Sequence, residues 1–201
     1  MPSNLDQDLL VQHIKKIPET LGNLPIRYLL TNGKVEKQLK FFVGAAWENV
    51  KLKRAYVMDK RFNNRELDLL AFEDGKPKFW FEAKCSFRND HPNVESSARD
   101  AIRQVELINS NLQNDISQSD GYIVHFILSL PEKSDKLLSD DAQKKYAKLR
   151  NKKLGYQLGD LVKFYTKNLN GQHEYCCQVP LLFSAPDTDV VIVKLKKLPR
   201  P

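Results

Sequence analysis

The chain has 201 residues, of which 41% are hydrophobic and 28% are charged, and its formal net charge is +7. This length is enough for one domain with a full core, and the composition is that of an ordinary globular protein. The positive charge favours a polyanionic partner, which nucleic acid and a membrane surface would satisfy equally well. The longest apolar run, residues 122–130, is too short to span a bilayer, so we expect no membrane-embedded part.

Several classes of protein are disfavoured by the motifs that the sequence lacks. Residues 1–10 have no apolar core of a secretory signal, and the three cysteines form neither a disulfide framework nor a zinc-binding spacing. A reduced, cytoplasmic setting is therefore expected. The sequence also has no Gly-rich phosphate loop, no zinc-protease helix motif and no serine nucleophile elbow.

Two helices are predicted before the first strand. Apolar residues at helical spacing predict a first helix over residues 5–17, and Asn32-Gly33 marks a turn before a second helix over residues 35–50. The role of residues 1–34 stays open between bracing the fold, extending a binding surface and mediating dimerisation.

A β-hairpin is predicted at the centre of the chain. Residues 53–58 form the preceding strand and 59–64 its turn, and residues 66–72 and 78–87 then form two strands joined at Asp74-Gly75. Asp68, Glu82 and Lys84 are charged residues inside these apolar strands, where an unpaired buried charge is costly. Two carboxylates and an ammonium that converge on one face would suit a hard divalent cation with a lysine beside it.

The length of the hairpin loop decides whether the two carboxylates meet. A two-residue loop would place Asp68 opposite Phe81, on the wrong face, whereas a three-residue loop over residues 73–75 places it opposite Trp80, on the face of Glu82. We therefore predict an odd loop with Gly75 in a left-handed conformation, as in a type I turn followed by a bulge.

The second half of the chain alternates predicted helices and strands. A long helix is predicted over residues 94–114, an almost continuously apolar strand over 121–130, a helix from Asp140 onward, and strands over 161–165, 175–183 and 190–195. His125 is predicted to be a hydrogen-bonded core residue. The helix from Asp140 carries positive charges without interspersed acids, which favour a phosphate-facing surface over a merely solvated one: Lys144, Lys145, Lys148, Arg150, Lys152 and Lys153.

Asp68 followed by Glu82-Ala83-Lys84 resembles the D…(D/E)-x-K signature of the PD-(D/E)XK nuclease superfamily, although Leu67 replaces the signature's proline, which many members also lack. The resemblance implies the α/β, restriction-endonuclease-like fold, with an αβββαβ core over about residues 35–130 and a mixed central sheet flanked by helices. Residues 1–34 would be an N-terminal helical extension, and 131–201 a basic C-terminal addition of helix and strands, all in one domain. The alternative is a surface hairpin with scattered charges.

The resemblance also implies an activity, Mg²⁺-dependent hydrolysis of DNA, with Mn²⁺ expected to substitute. Asp68, Glu82 and the carbonyl of Ala83 would hold the metal, and Lys84 would orient the attacking water. The expected partner is double-stranded DNA, and double-strand cleavage favours a homodimer on chemical grounds. The alternatives are a repair, transposon-end or toxin nuclease acting on DNA or RNA, and a DNA-binding module that has kept the fold without turnover.

Accessory residues are expected on the two core helices. Glu48, which follows Gly44-Ala-Ala-Trp, resembles the helix glutamate of some members, and Glu36 near the helix start resembles that of others. The two point about 120° apart, and Glu48, which would hold a second metal or the water, is the preferred candidate. A glutamate on the helix surface without a role in the site is the alternative for either residue. On the long helix, Gln104 and Arg103 resemble residues that members direct at the metal or the phosphate, although a solvated helix face would also explain them.

Overall fold

The protein is described by a computed structural model that covers residues 8–21, 35–49, 53–62, 65–109, 116, 119–129, 140–150, 157–181 and 188–197. Within these ranges the helices are α1 (Leu9–Leu21), α2 (Val35–Glu48), α3 (His91–Asn109), α4 (Asp140–Arg150) and α5 (Leu158–Asn168). The strands are β1 (Arg54–Phe62), β2 (Arg65–Glu73), β3 (Lys76–Phe87), β4 (Asp120–Leu128), β5 (His173–Leu181) and β6 (Thr188–Leu195).

The strands form one six-stranded sheet in the order β1-β2-β3-β4-β6-β5. β1, β2 and β3 are an antiparallel meander, β4 is parallel to β3, and β6 and β5 add antiparallel strands beyond β4. The parallel pair needs a crossover, which α3 supplies. A mixed sheet flanked by helices, in the α/β class, is thus confirmed.

The helices cover both faces of this sheet. On one face α1, α2 and α4 pack through Leu10, Leu39 and Tyr146, among others, against strand residues such as Phe81 and Val124. The other face is covered by α3 and α5, which pack against a different set of strand residues, Trp80 and Ile123 among them. β4 is therefore buried on both sides, as its continuous apolar sequence predicts.

His125 lies in the middle of β4 and is fully buried. Its Nδ1 is 2.9 Å from the Tyr165 hydroxyl, and its Nε2 is 3.0 Å from Ser86 Oγ. Both ring nitrogens therefore have a partner, in agreement with the predicted core histidine.

The strand predicted over residues 161–165 is wrong, because these residues lie in α5. Leu161 and Tyr165 are buried against the sheet, while the lysines between and after them are exposed. Together with Leu158 and Leu169, these residues recur at helical spacing over twelve positions, and a five-residue window conceals that period.

Several element boundaries also differ from prediction. β1 continues to Phe62, so the turn predicted to begin at Asp59 is wrong, and Asp59 instead lies within the strand with a φ of 52°. α1 continues past residue 17 to Leu21, and α3 begins at His91. The predicted turn at Asn32-Gly33, together with Lys152 and Lys153, falls outside the described residues.

No helix in the described ranges has the length and apolar character needed to cross a bilayer.

Candidate active site

The turn between β2 and β3 has two residues, because Glu73 pairs with Lys76. Asp74 and Gly75 both have positive φ, 52° and 73°, as a type I′ turn requires. Gly75 is left-handed as predicted, but the predicted three-residue loop is wrong. The extra residue lies within β3 instead, since Phe72 pairs with Pro77 and Ala71 with Phe79.

This shift of register is a β-bulge, and it brings the two carboxylates together. After it, Leu70 pairs with Trp80 and Leu69 with Phe81, so the next position places Asp68 opposite Glu82. Residues opposite each other across an antiparallel pair face the same way. Without the bulge the two-residue turn would have turned Asp68 to the other face. Pro77 lacks an N–H and is suited to such a break in the ladder.

Asp68 is bound through both of its carboxylate oxygens. Oδ2 accepts a hydrogen bond of 2.6 Å from the backbone N–H of Ala83, and Oδ1 accepts one of 2.7 Å from Lys40 Nζ. The N–H and C=O of one strand residue point towards the same neighbouring strand. The carbonyl of Ala83 is therefore directed to the side on which Asp68 lies.

Lys84 connects β3 to α3. Its Nζ donates 2.8 Å to Glu82 Oε1 and forms an ion pair of 3.0 Å with Asp100 Oδ2. Burial alone would lower the pKa of Lys84, but the charges and hydrogen bonds of Glu82 and Asp100 outweigh it and raise the pKa. The ammonium therefore stays charged at neutral pH.

Glu82 is the residue of this cluster whose ionised form is most strongly disfavoured. Burial, and then the negative charge of Asp68, raise its pKa to about 8, although Lys84 opposes the shift. A bound cation would relieve that repulsion, and two carboxylates with a backbone carbonyl are hard oxygen donors. The residues present therefore fit Mg²⁺, which keeps several waters in its coordination shell. Among the described residues no group of three or more His, Cys, Asp or Glu side chains is arranged to hold a metal, so the set rests on two carboxylates and one carbonyl.

The structure brings Glu36 to this cluster. Burial, followed by the negative charge of Asp68, raises the pKa of Glu36, while Lys84, Lys40 and a backbone hydrogen bond from Cys85 act against the shift. The carboxylate in the first turn of α2 thus shares the electrostatic environment of Asp68 and Lys84.

Glu48, the preferred helix glutamate, lies elsewhere. It is exposed at the far end of α2, about 18 Å along the helix axis from Glu36, and its charge acts on Tyr56. The preceding motif has a packing role. A Cβ on Gly44 would come within 2.4 Å of the Tyr56 ring, and the buried Trp47 donates a hydrogen bond to the carbonyl of Phe72.

Three residues of the cluster were missed from the sequence, namely Lys40, Asp59 and Asp100. Lys40 Nζ lies 2.7 Å from Asp59 Oδ1 as well as 2.7 Å from Asp68 Oδ1. Burial disfavours its charge, but the hydrogen bonds and charges of both aspartates raise the pKa of Lys40. Its spacing from Glu36, four residues on one helix, was the available signal, because such residues share a face.

The predicted accessory residues on α3 lie further out. Arg103 is exposed and donates 3.0 Å to Asp100 Oδ1, so it reaches Lys84 only through that carboxylate. Gln104 is half-buried and follows Asp100 by one helical turn, on the same side of α3.

The structure describes only part of the predicted basic surface. Lys144 and Lys148 are exposed on α4, whose buried Tyr146 packs with its ring centroid 5.3 Å from that of Phe87. Phe87 lies three residues beyond Lys84 on β3, or about 10 Å along the strand. The side chains of Lys145 and Arg150, like residues 152 and 153, lie outside the described part of the structure.

Comparison of the chain with protein-family models, with curated proteins and with solved structures gives no significant match.

Proposed function

We propose that this chain is a Mg²⁺-dependent endonuclease of the PD-(D/E)XK type that hydrolyses phosphodiester bonds of DNA. The observations that carry the proposal are the hydrogen bonds of Asp68 to the N–H of Ala83 and of Lys84 to Glu82. They agree with the hairpin register, which places Asp68 opposite Glu82 when it is continued by one residue beyond Leu69 and Phe81. The order α2-β1-β2-β3-α3-β4 agrees with the αβββαβ order expected for that superfamily. The net charge of +7 is suited to a polyanionic substrate.

Asp68, Glu82 and the Ala83 carbonyl would hold the metal, which when bound supplies the charge that polarises a phosphate and lowers the pKa of a nearby water. Lys84 then has two tasks. Its charged Nζ orients the attacking water, and it stabilises negative charge that develops on the phosphate oxygens. Glu36, whose pKa responds to the charges of Asp68 and Lys84, is the helix glutamate that we assign to this site.

A second candidate, a DNA-binding module without turnover, is favoured by one observation. Lys40 and Lys84 already occupy one oxygen each of Asp68 and Glu82. Ammonium groups can satisfy carboxylates permanently, and a site neutralised in that way would have no need of a metal ion.

Incubation of supercoiled plasmid with the protein and Mg²⁺, with and without chelator, tests the proposal. Discrete fragments formed only with Mg²⁺ would support restriction-type cleavage of duplex DNA. Nicks or smears would support a repair or toxin nuclease of the same chemistry. Tight binding without any cleavage would contradict the proposal and support the binding module.

A further inference from the structure

A second pair of carboxylates adjoins the proposed metal ligands. Asp59 on β1 lies opposite Asp68 on β2, since the flanking pairs are Met58 with Leu69 and Lys60 with Leu67. Lys40 spans the pair, with its Nζ 2.7 Å from one oxygen of each aspartate. The Lys40 side chain is only 7% exposed, so this ammonium is part of the interior rather than of the surface.

The backbone conformation of Asp59 is unusual for a strand residue. Its φ of 52° is left-handed, a conformation that a non-glycine residue adopts at a cost and that Asp tolerates better than most. A strained residue inside a strand persists where its surroundings hold it. Here Lys40 holds the carboxylate, while the exposed Lys37 approaches its other oxygen only to 3.8 Å.

The charges around Asp68 give the reason for a buried ammonium. Lys40 lies between the carboxylates of Asp59 and Asp68, and Lys84 lies between those of Glu82 and Asp100. Each ammonium therefore separates two carboxylates. Without Lys40, the carboxylates of Asp59 and Asp68 would face each other with no cation between them.

We propose that the ammonium of Lys40 takes the place of a second metal ion, so that the site binds a single divalent cation, on the Glu82 side of Asp68. In sites with two metals, a carboxylate bridges ions about 4 Å apart. Lys40 binds Oδ1 of Asp68, so the metal would share Oδ2, which also accepts the N–H of Ala83. Lys40 is thus a positioning residue, and its role rests on the proposed metal-dependent function.

The number of Mn²⁺ ions bound per chain without DNA, measured by equilibrium dialysis, tests this inference. We expect one ion on the wild type, two on Lys40→Met, in which Asp59 and Asp68 face each other without a cation, and one on Lys37→Met. The last variant is the matched control, because it removes a lysine from the same helix that approaches Asp59 but does not bridge it. Electron paramagnetic resonance of the loaded Lys40→Met variant should show two coupled Mn²⁺ ions.

If Lys40→Met is poorly folded in chelator, its melting temperature with and without Mn²⁺ provides a second test. Mn²⁺ should then restore its folding, because the ion replaces the missing ammonium, and failure to restore it would contradict the inference. Two ions on the wild type, or a single ion on folded Lys40→Met, would overturn the inference alone. A wild type that binds no Mn²⁺ would overturn the metal-dependent function together with it.

Discussion

Glu36 and Glu48 lie on one helix in different surroundings, which makes them a matched pair of residues. We expect Glu36→Gln to lower the rate of Mg²⁺-dependent plasmid cleavage at least tenfold, about 1.4 kcal/mol in the barrier. Its carboxylate lies within the electrostatic reach of Asp68 and Lys84, whereas that of Glu48 is exposed at the other end of α2. Glu48→Gln should therefore cleave at the wild-type rate. Loss of activity in Glu48→Gln alone would show that the helix glutamate has been misassigned.

His125 gives a prediction for stability against pH. Burial, and then the charge of Lys84, lower its pKa from 6.5 to about 3. The unfolded chain therefore takes up this proton near pH 6.5 and the native state does not. The stabilisation that results from the lowered pKa of His125 is fully present above pH 6.5. As the pH falls towards 3, the free energy of unfolding loses about 1.4 kcal/mol of this stabilisation per pH unit.

Urea unfolding of the wild type and of His125→Gln between pH 6.5 and 4.5 measures this contribution. The free energy of unfolding should depend on pH less steeply in the variant, by about one proton. His13, whose pKa is lowered to about 4 by burial and by the charges of Arg54 and Lys16, is present in both proteins and supplies the same background. Equal slopes in the two proteins would refute the assignment of this proton to His125.

The residues of the cluster differ in how far the sequence revealed them. Asp68, Glu82 and Lys84 lie on two strands joined by a short turn, so local alternation was enough to propose them. Lys40 and Asp59 meet only because α2 packs across β1 and because β1 continues beyond Met58. Both conditions depend on tertiary packing, and Asp59 has the signature of a turn when it is considered locally.

At the scale of the elements, the hairpin shows the same limit. The sequence predicted the left-handed Gly75 and the need for one odd residue. It did not show that Asp74 would also take a positive φ, which closes the turn in two residues and moves the odd residue into β3. Both solutions place Asp68 and Glu82 on one face, and the choice between them depends on the twist and packing of the strands.

Gly75 and Gly159 test the turn. A Cβ at either position would meet nothing within 4 Å, but only Gly75 has a positive φ, of 73°. Gly75→Ala should lower the free energy of unfolding by about 1 kcal/mol, because alanine is strained in that conformation. Gly159→Ala, in α5, should raise it by roughly 0.5–1 kcal/mol. Urea unfolding measures both, and a neutral Gly75→Ala would contradict the type I′ turn.

The exposed lysines of α4 test the predicted DNA surface. If Lys144 and Lys148 face phosphates, replacing both with alanine should weaken duplex binding similarly for every sequence. It should also flatten the slope of log affinity against log salt by roughly 0.9 for each phosphate that the variant no longer neutralises. The control replaces Lys163 and Lys167, which are exposed on α5 against the opposite face of the sheet. Equal slopes in both double variants would assign α4 to a solvated surface.

At the scale of the whole molecule, hydrogen bonds connect the start of α1 to strands β4 and β6. The buried Asp8 accepts hydrogen bonds from the Tyr122 hydroxyl, at 2.8 Å, and from Lys194 Nζ, at 3.2 Å. Its other oxygen accepts the backbone N–H groups of Leu10 and Val11 at the start of α1. Of the roles left open for the N-terminal residues, bracing the fold is the one that these contacts support.

The charges of the cluster also couple metal binding to duplex affinity and to cleavage. Without metal, the carboxylate of Asp68 repels a phosphate, so Ca²⁺, which should bind without supporting cleavage, is expected to tighten duplex binding. Asp68→Asn removes one negative charge and keeps the shape of the side chain. Lys84→Ala removes a positive charge and should weaken metal-free binding, although it too should stop cleavage.

Asp68→Asn, assayed for plasmid cleavage in Mg²⁺ and for duplex affinity in chelator on the same preparation, tests the central claim most directly. We expect cleavage to be abolished while the affinity in chelator equals or exceeds that of the wild type. Cleavage that persists would show that Asp68 takes no part in the reaction. Simultaneous loss of folding and binding would show that the aspartate is structural, and would contradict the proposed nuclease site.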